Sequence, residues 1–428
     1  MTPAQPSWFG QPRGLTILFL TNMWEQFSYY GMRALLVYYM TKELLLAQGT
    51  SSLIYGTYTA CAYFTPIVGG VIADRFLGKR RAIIIGGSMM ALGHFLMTFQ
   101  PSFYVALAVI ALGNGLFLPS LPSQIDDLYE PGDPRVGWAY NVYYVGVNIG
   151  GFLAPLICGT LGEVYGWHYG FGAAGVGMLL GLCIYLWGQR YLPEAARTRD
   201  AAPVARGKAV IGRETVMLLV AIALAVTVFR GAYEQMGNTV PLWADTGVDK
   251  NAGGFLIPMT WFMSLNPLMV MLFTPPLLAW WHRRAAAGKL QAPARKMALG
   301  ALIVGVAYVM LAALDWTHAG VQTGWLWFAV FFGVFTLGEL YILPTGLGLF
   351  ARLAPKGFGA TTVAAWYLAS FAGSLAAGFV GTLWSGVNHA AYFLLLAGIA
   401  GLSAVLLRLA DPLERRLAAT KARESESL

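Results

Sequence analysis

Runs of about twenty apolar residues, each long enough to cross a bilayer, alternate with short polar connections along the whole chain. Twelve spans are predicted, near residues 15–41, 53–73, 82–100, 103–126, 138–161, 168–188, 214–243, 254–281, 297–314, 323–350, 359–384 and 389–408. Alternate connections collect the basic residues: Arg75–Arg81, Asp126–Val136, Arg190–Arg213, His282–Lys296 and Arg352–Gly357. Of the 28 Lys and Arg, only Lys42 and Lys250 fall on the opposite side, and only Arg33 and Arg230 fall within spans. The positive-inside rule then places these connections and both termini in the cytoplasm. The longest connection, Tyr191–Arg213, is rich in Ala, Pro and Arg. It divides the chain into a six-span bundle (1–189), a linker (190–213), a second six-span bundle (214–410) and a cytoplasmic tail (411–428).

Composition agrees. The chain of 428 residues is 57% hydrophobic and 11% charged, with a mean hydropathy of +0.60, against about 25% charged residues in an ordinary soluble domain. The net charge of +8 sits in short loops, so it marks membrane topology and does not point to nucleic acid. Cys61, Cys158 and Cys183 lie in apolar spans without CxxC spacing and are expected to be packing residues. No metal site is expected. Met1–Arg13 is polar and the next segment is too long for a cleavable signal, so the first span is expected to direct its own insertion.

The first span is the least apolar. Asn22–Gly31 reads N-M-W-E-Q-F-S-Y-Y-G, and helical spacing puts Asn22, Glu25, Tyr29 and Arg33 on one face, bordered by Gln26 and Tyr30. A carboxylate at mid-membrane is costly unless it faces a polar cavity, finds a partner or holds a proton. The stripe is therefore expected to wall a solute path, the alternative being an interhelical hydrogen-bond network. After the second span comes G-G-V-I-A-D-R-F-L-G-K-R-R, Gly69–Arg81, which resembles the signature loop of the major facilitator superfamily. Asp74, Arg75 and Arg81 are expected to serve conformational change there and not to bind substrate. The predicted fold class is an all-α membrane protein of major facilitator architecture, with twelve helices in two six-helix halves.

More specific motifs follow. Span five holds Y-N-V-Y-Y-V-G-V-N-I-G-G-F-L-A-P, Tyr140–Pro155; span seven holds Y-E-Q-M-G-N-T, span eight W-F-M-S-L-N-P and span ten G-E-L-Y-I-L-P-T-G-L. With G-W-H-Y-G-F-G-A-A-G before span six, the chain resembles the proton-coupled oligopeptide transporters, the POT family. That resemblance implies a di- or tripeptide carried inward with protons across the inner membrane, with the proton gradient as energy source and no cofactor. It implies that Glu339 takes the peptide's amino group with help from Asn266, and that Tyr29, Tyr30, Tyr63, Asn148 and Trp366 line the cavity. Asn266-Pro267 also reads as a helix kink. An ion pair between Arg33 and Glu234 is implied as an outer gate, with protonation of Glu234 releasing it. Arg230, four residues before Glu234, is a competing partner on the same helix. Asp245, at the outer end of span seven, reads as a solvated residue, with a part in the gate as the weaker alternative.

The chain also departs from the family. Asn22 stands for its first Glu, Gln26 for its Arg and Leu118 for its Lys. Two cations for a peptide carboxylate are thus missing, and Glu25, left without an adjacent arginine, is a candidate proton carrier. Arg230 is the candidate replacement for the carboxylate clamp. Transport of a solute lacking that carboxylate, or of another small anion, is the alternative. An enzyme is not expected, since neither HExxH nor GxSxG occurs and the five histidines are scattered. His94 is expected to be a hydrogen-bonded packing histidine. Asp126 and Asp127 are expected to cap or bridge cytoplasmic helix ends. The short linker leaves no room for the two extra helices of many bacterial relatives, and the protein is expected to act as a monomer among membrane lipids.

Overall fold

In the computed structural model, residues 7–8, 10–130, 133–193, 212–289, 291–317, 321–354 and 359–426 are described. Twelve long helical segments run through them: α1 (Arg13–Tyr38), α2 (Gln48–Leu77), α3 (Lys79–Leu96), α4 (Gln100–Asp126), α5 (Val136–Tyr165), α6 (Trp167–Tyr191), α7 (Arg213–Gly247), α8 (Met259–Ala286), α9 (Pro293–Thr317), α10 (Trp325–Leu353), α11 (Thr361–Gly386) and α12 (His389–Leu417), the last continuing to Glu426. Each predicted span finds its helix. Most of the predicted linker, residues 194–211, lies outside the described residues, as does part of Arg352–Gly357.

Ten of these helices are long and apolar enough to cross a membrane by composition; α1 and α3 fall short. The reason is visible in the packing. The polar groups that lower their hydropathy face each other inside the protein: the Ser28 hydroxyl on α1 lies 3.1 Å from Nε2 of His94 on α3, and both residues are fully buried.

The chain packs as two compact units. Unit 1 comprises Met1–Leu46, Cys61–Ala201 and Ala252–Leu268; unit 2 comprises Ala47–Ala60, Ala202–Asn251 and Met269–Leu428. Each unit thus takes the beginning of one helix from the other side of the linker: α8 starts in unit 1 and α2 starts in unit 2.

In unit 1, α1 lies against α5 and α6, and α3 against α4 and α6. Helices in lipid gain little from hydrophobic contact alone, so close backbone approach and interhelical hydrogen bonds hold them. Gly150 is the clearest case. A Cβ there would run into the Met23 carbonyl oxygen, so only glycine allows α5 this near α1. Leu15, Leu18, Ile83, Met90, Phe117 and Tyr185 fill the space beneath. In unit 2, α9 packs on α10 and α12, and α7 on α11 and α12. Their core is aromatic: Phe328 and Phe331 stack at 5.8 Å, and Tyr308 sits edge-on to Phe335 at 5.9 Å. The Tyr308 hydroxyl, which needs a partner when buried, donates to the Ala232 carbonyl at 2.6 Å.

Asn266-Pro267 stands where the helix geometry changes. Met259–Ser264 is a 3₁₀ turn and the α-helix begins at Leu265, so Pro267 falls in a first turn, where its missing N–H is not needed.

Gly150→Ala is expected to destabilise the fold by about 1–3 kcal/mol, because backbone must move to admit the methyl group. Gly401→Ala, whose Cβ would meet nothing within 4 Å, should stay within about 0.5 kcal/mol of the parent. Melting temperatures of the two purified variants by fluorescence-detected size exclusion check this; equal melting would remove close packing as the reason for Gly150.

Candidate functional site

The stripe predicted on α1 belongs to unit 1, and its members have different roles. Asn22 is 1% exposed and donates from Nδ2 to the Tyr143 carbonyl on α5 at 3.1 Å. Glu25 is equally buried and accepts from Gln26 Nε2 at 2.7 Å. The Ser28 hydroxyl bridges the Glu25 carbonyl (3.0 Å) and His94. Tyr29, Tyr30 and Arg33 are half-buried, the two tyrosine rings meeting edge-on at 5.5 Å. The upper part of the stripe is therefore an internal hydrogen-bond network, and the half-buried residues beyond it remain the candidates for lining a path. Tyr63 is half-buried in the same unit. Asn148 is buried and donates to the Tyr144 carbonyl one turn back at 3.0 Å, and Asn266 is 8% exposed.

Two clasps in unit 1 were not foreseen. At the end of α5, the Glu163 carboxylate accepts the backbone N–H groups of Met259 (3.0 Å) and Thr260 (2.7 Å). These are orphan donors at the start of a helix, where a carboxylate is favoured by both hydrogen bonding and the helix dipole. Trp261 Nε1 donates to the Thr160 hydroxyl at 2.7 Å, and the Ser264 hydroxyl to the Phe152 carbonyl at 2.7 Å. At the other end of the bundle, the signature loop closes on Gly78, whose φ of +76° suits glycine. Its bonds come from Lys79 and Arg80. Lys79 reaches Asp127 (2.7 Å) and the Ser123 carbonyl (2.9 Å); Arg80 donates to the carbonyls of Leu192 (2.9 Å) and Pro193 (2.6 Å). Asp74, Arg75 and Arg81 are exposed. Asp127 bridges helix ends and Asp126 accepts from the Tyr140 hydroxyl at 3.2 Å. In the neighbouring loop, Arg135 grips Asp133 at 2.6 Å, and that hydrogen bond holds the Asp133 carboxyl below its ordinary range.

Unit 2 gathers the remaining candidates along one stretch of α7. Arg230 and Glu234, 4% and 1% exposed, form an ion pair at 2.9 Å along the helix. The Ser374 hydroxyl on α11 lies 3.4 Å from the same Glu234 oxygen. Between them in sequence, the Tyr233 hydroxyl donates to Glu339 on α10 at 2.8 Å. Glu339 is half-buried. Trp366 is buried edge-on against Phe350, its ring filling the space over Gly346. Asp245 is not simply solvated, for Lys250 pairs with it at 2.9 Å. The beginning of α2 is tied into the same unit: Gln48 Nε2 donates to the Gly381 carbonyl at 3.0 Å and the Ser52 hydroxyl to Asn238 Oδ1 at 3.0 Å.

Twelve helices with ionisable side chains buried well inside them define a polytopic transporter of the major facilitator fold. The model described as POT family matches residues 80–211 and 200–395, and the chain belongs to that family. It is similar to the uncharacterized transporter YclF of Bacillus subtilis, with 32% identity over 94% of this chain and 93% of that protein. It is also similar to the di-/tripeptide transporter of Lactococcus lactis subsp. cremoris, with 30% identity over 86% and 89%. Among solved structures, the crystal structure of a peptide transporter POT in complex with sulfate covers 96% of this chain and 97% of its own, with 29% identity and a TM-score of 0.87.

Removing an acceptor of two backbone donors costs about 1–3 kcal/mol. Glu163→Ala should therefore raise amide hydrogen exchange over residues 259–264 by roughly tenfold or more, and Glu163→Gln by less. Exchange measured by mass spectrometry gives the answer, and unchanged protection in the alanine variant would deny Glu163 its clasp.

Proposed function

We propose that this protein imports di- and tripeptides across the inner membrane by alternating access, driven by an inward proton gradient, with both termini in the cytoplasm. The observation that carries this reading is the arrangement on α7 and α10: a buried Arg230–Glu234 pair one residue from a tyrosine that holds Glu339. An ion pair inside a membrane helix is a poor device for stability and by default a functional one. Membership of the POT family and the named activity of the Lactococcus lactis relative support it.

Each charge has a task. Glu339, half-buried and oriented by the Tyr233 hydroxyl, offers a carboxylate to the peptide's ammonium, a charge-assisted contact. Asn266, Tyr29, Tyr30, Tyr63 and Asn148 contribute polar and ring surfaces that tolerate varied side chains. Glu234 is the proton carrier. When it takes a proton, the attraction that holds the Arg230 guanidinium is lost, and that cation becomes available to a carboxylate. Arg33 is a second candidate for the same duty. Coupling follows, because a proton on Glu234 favours peptide binding and bound peptide favours the protonated state.

Uptake of labelled dialanine into proteoliposomes tests the reading. The parent protein should concentrate dialanine only with an inward proton gradient. Glu339→Gln is expected to lower dialanine affinity roughly tenfold or more, the worth of a hydrogen bond to a charged group. Glu234→Gln should still exchange peptide across the membrane without a gradient but no longer concentrate it. Parent-like affinity in Glu339→Gln would remove that residue from the amine site, and concentrative uptake by Glu234→Gln would remove Glu234 from coupling. A carboxylate-free solute is the reading favoured by Gln26 and Leu118; dialanine amide carried as well as dialanine would identify it.

A further inference from the structure

Unit 2 contains a cavity of about 600 Å³ at the ends of α7, α9 and α12, lined also by Val321, Gln322 and Thr323. It lies away from the Arg230–Glu339 group, at the end of α9 opposite Pro293 and the basic connection before it. Its frame is defined. Val248 and Thr323 pair as short parallel strands, Gln322 Nε2 donates to the Thr246 carbonyl at 3.2 Å, and Asn388 Oδ1 accepts the Ala390 N–H at 2.9 Å.

The chemistry of the wall is uneven. Asp315 is the one formally charged side chain among the described lining residues. Trp243 Nε1 donates to its Oδ1 at 2.7 Å, which satisfies one oxygen. His389 Nδ1 stands 3.8 Å from the same oxygen, too far for a hydrogen bond. The imidazole lies flat on Trp384, 4.1 Å away and 5° from parallel, and Trp384 is itself fixed edge-on by Tyr392 at 5.2 Å. The Trp316 ring is exposed at the rim. From α7, Asp245 is engaged by Lys250 and does not line the space.

A carboxylate in the wall of a cavity attracts an organic cation through its charge, and the volume is that of a small-ligand site. We propose that this cavity is a second binding site, for the alkylammonium group of a small amine or of a peptide's amino end, with Asp315 as its counter-ion. The site does not rest on the transport reading, since none of its residues takes part there.

The test uses the full chain in detergent micelles, labelled with 5-fluorotryptophan, with the ¹⁹F resonances of Trp243 and Trp316 assigned by single replacement with phenylalanine. Butylammonium should shift the Trp316 resonance saturably, and the neutral isostere 1-butanol should not. Asp315→Asn keeps an oxygen for the Trp243 donor while removing the charge, and should weaken butylammonium binding roughly tenfold or more. Salt gives a readout that needs no variant, because affinity held by a carboxylate falls as ionic strength rises. Dialanine and N-acetyl-dialanine separate the two sources of the ammonium: a shift with the first and not the second identifies a peptide's amino end, and one with butylammonium alone a free amine. Equal shifts with 1-butanol, parent-like affinity in Asp315→Asn, or affinity indifferent to salt would overturn the proposal.

Discussion

The Arg230–Glu234 ion pair sets the terms for unit 2. Two charges inside a membrane helix are tolerated only when each is satisfied by the other and by nearby dipoles. The surroundings are built for that. Gly373 lets α11 pass close over the Arg230 stem, where any Cβ would collide, and the Ser374 hydroxyl beside it reaches the carboxylate. The Tyr233 ring lies 5.7 Å from the guanidinium. Helix α7 also leaves α-geometry at this point: Glu234–Gly237 is 3₁₀, and the local break is bridged by Gln235, which donates to the carbonyls of Gly231 (3.1 Å) and Ala377 (2.8 Å). A charged pair, a tightened turn and a glycine contact thus coincide on one helix turn, a combination that stability alone does not call for.

Unit 1 ties its polar helix differently. Two polar residues on α1 bind groups on other helices, Asn22 a carbonyl of Tyr143 and Ser28 the imidazole of His94, while Gln26 donates to its neighbour Glu25 on α1 itself. Amides and hydroxyls lose less on leaving water than ions do, so Asn22 and Ser28 hold α1 against its neighbours without demanding a counter-ion. The replacement of family charges by Asn22, Gln26 and Leu118 is consistent in that light.

How far this was legible follows from the range of each interaction. Ten of the twelve spans follow from local hydropathy, α1 and α3 being too polar for it, and the fold follows from the motifs they carry. The Arg230–Glu234 pair was legible as an i,i+4 alternative because both partners sit on one helix. The bridging role of Asp127 was legible from its place at a helix end, but its partner Lys79 was not. Glu163 was invisible, since its partners are backbone N–H groups 96 and 97 residues away that any residue type supplies. Tyr233 and Glu339 are 106 residues apart, and Tyr233 carried no signal beyond its place in a motif. His389, Asp315 and Trp243 read as scattered residues for the same reason; only the folded ends of three helices bring them to one cavity.

The clasps at the starts of α2 and α8 share a chemistry that separates them from the buried pair. Gln48 with Gly381, Ser52 with Asn238, Trp261 with Thr160 and Ser264 with Phe152 are neutral hydrogen bonds, each worth about 0.5–1.5 kcal/mol net. Glu163 adds one charge, accepting two backbone donors at a helix start. Breaking any one of these contacts parts at most one charge from its partner. Separating Arg230 from Glu234 while both are charged leaves two ions in a low-dielectric interior. The easily broken bonds lie at helix ends and the costly one lies inside. Neutralising a single carboxylate removes the costly one, and a proton is the smallest ligand that does so.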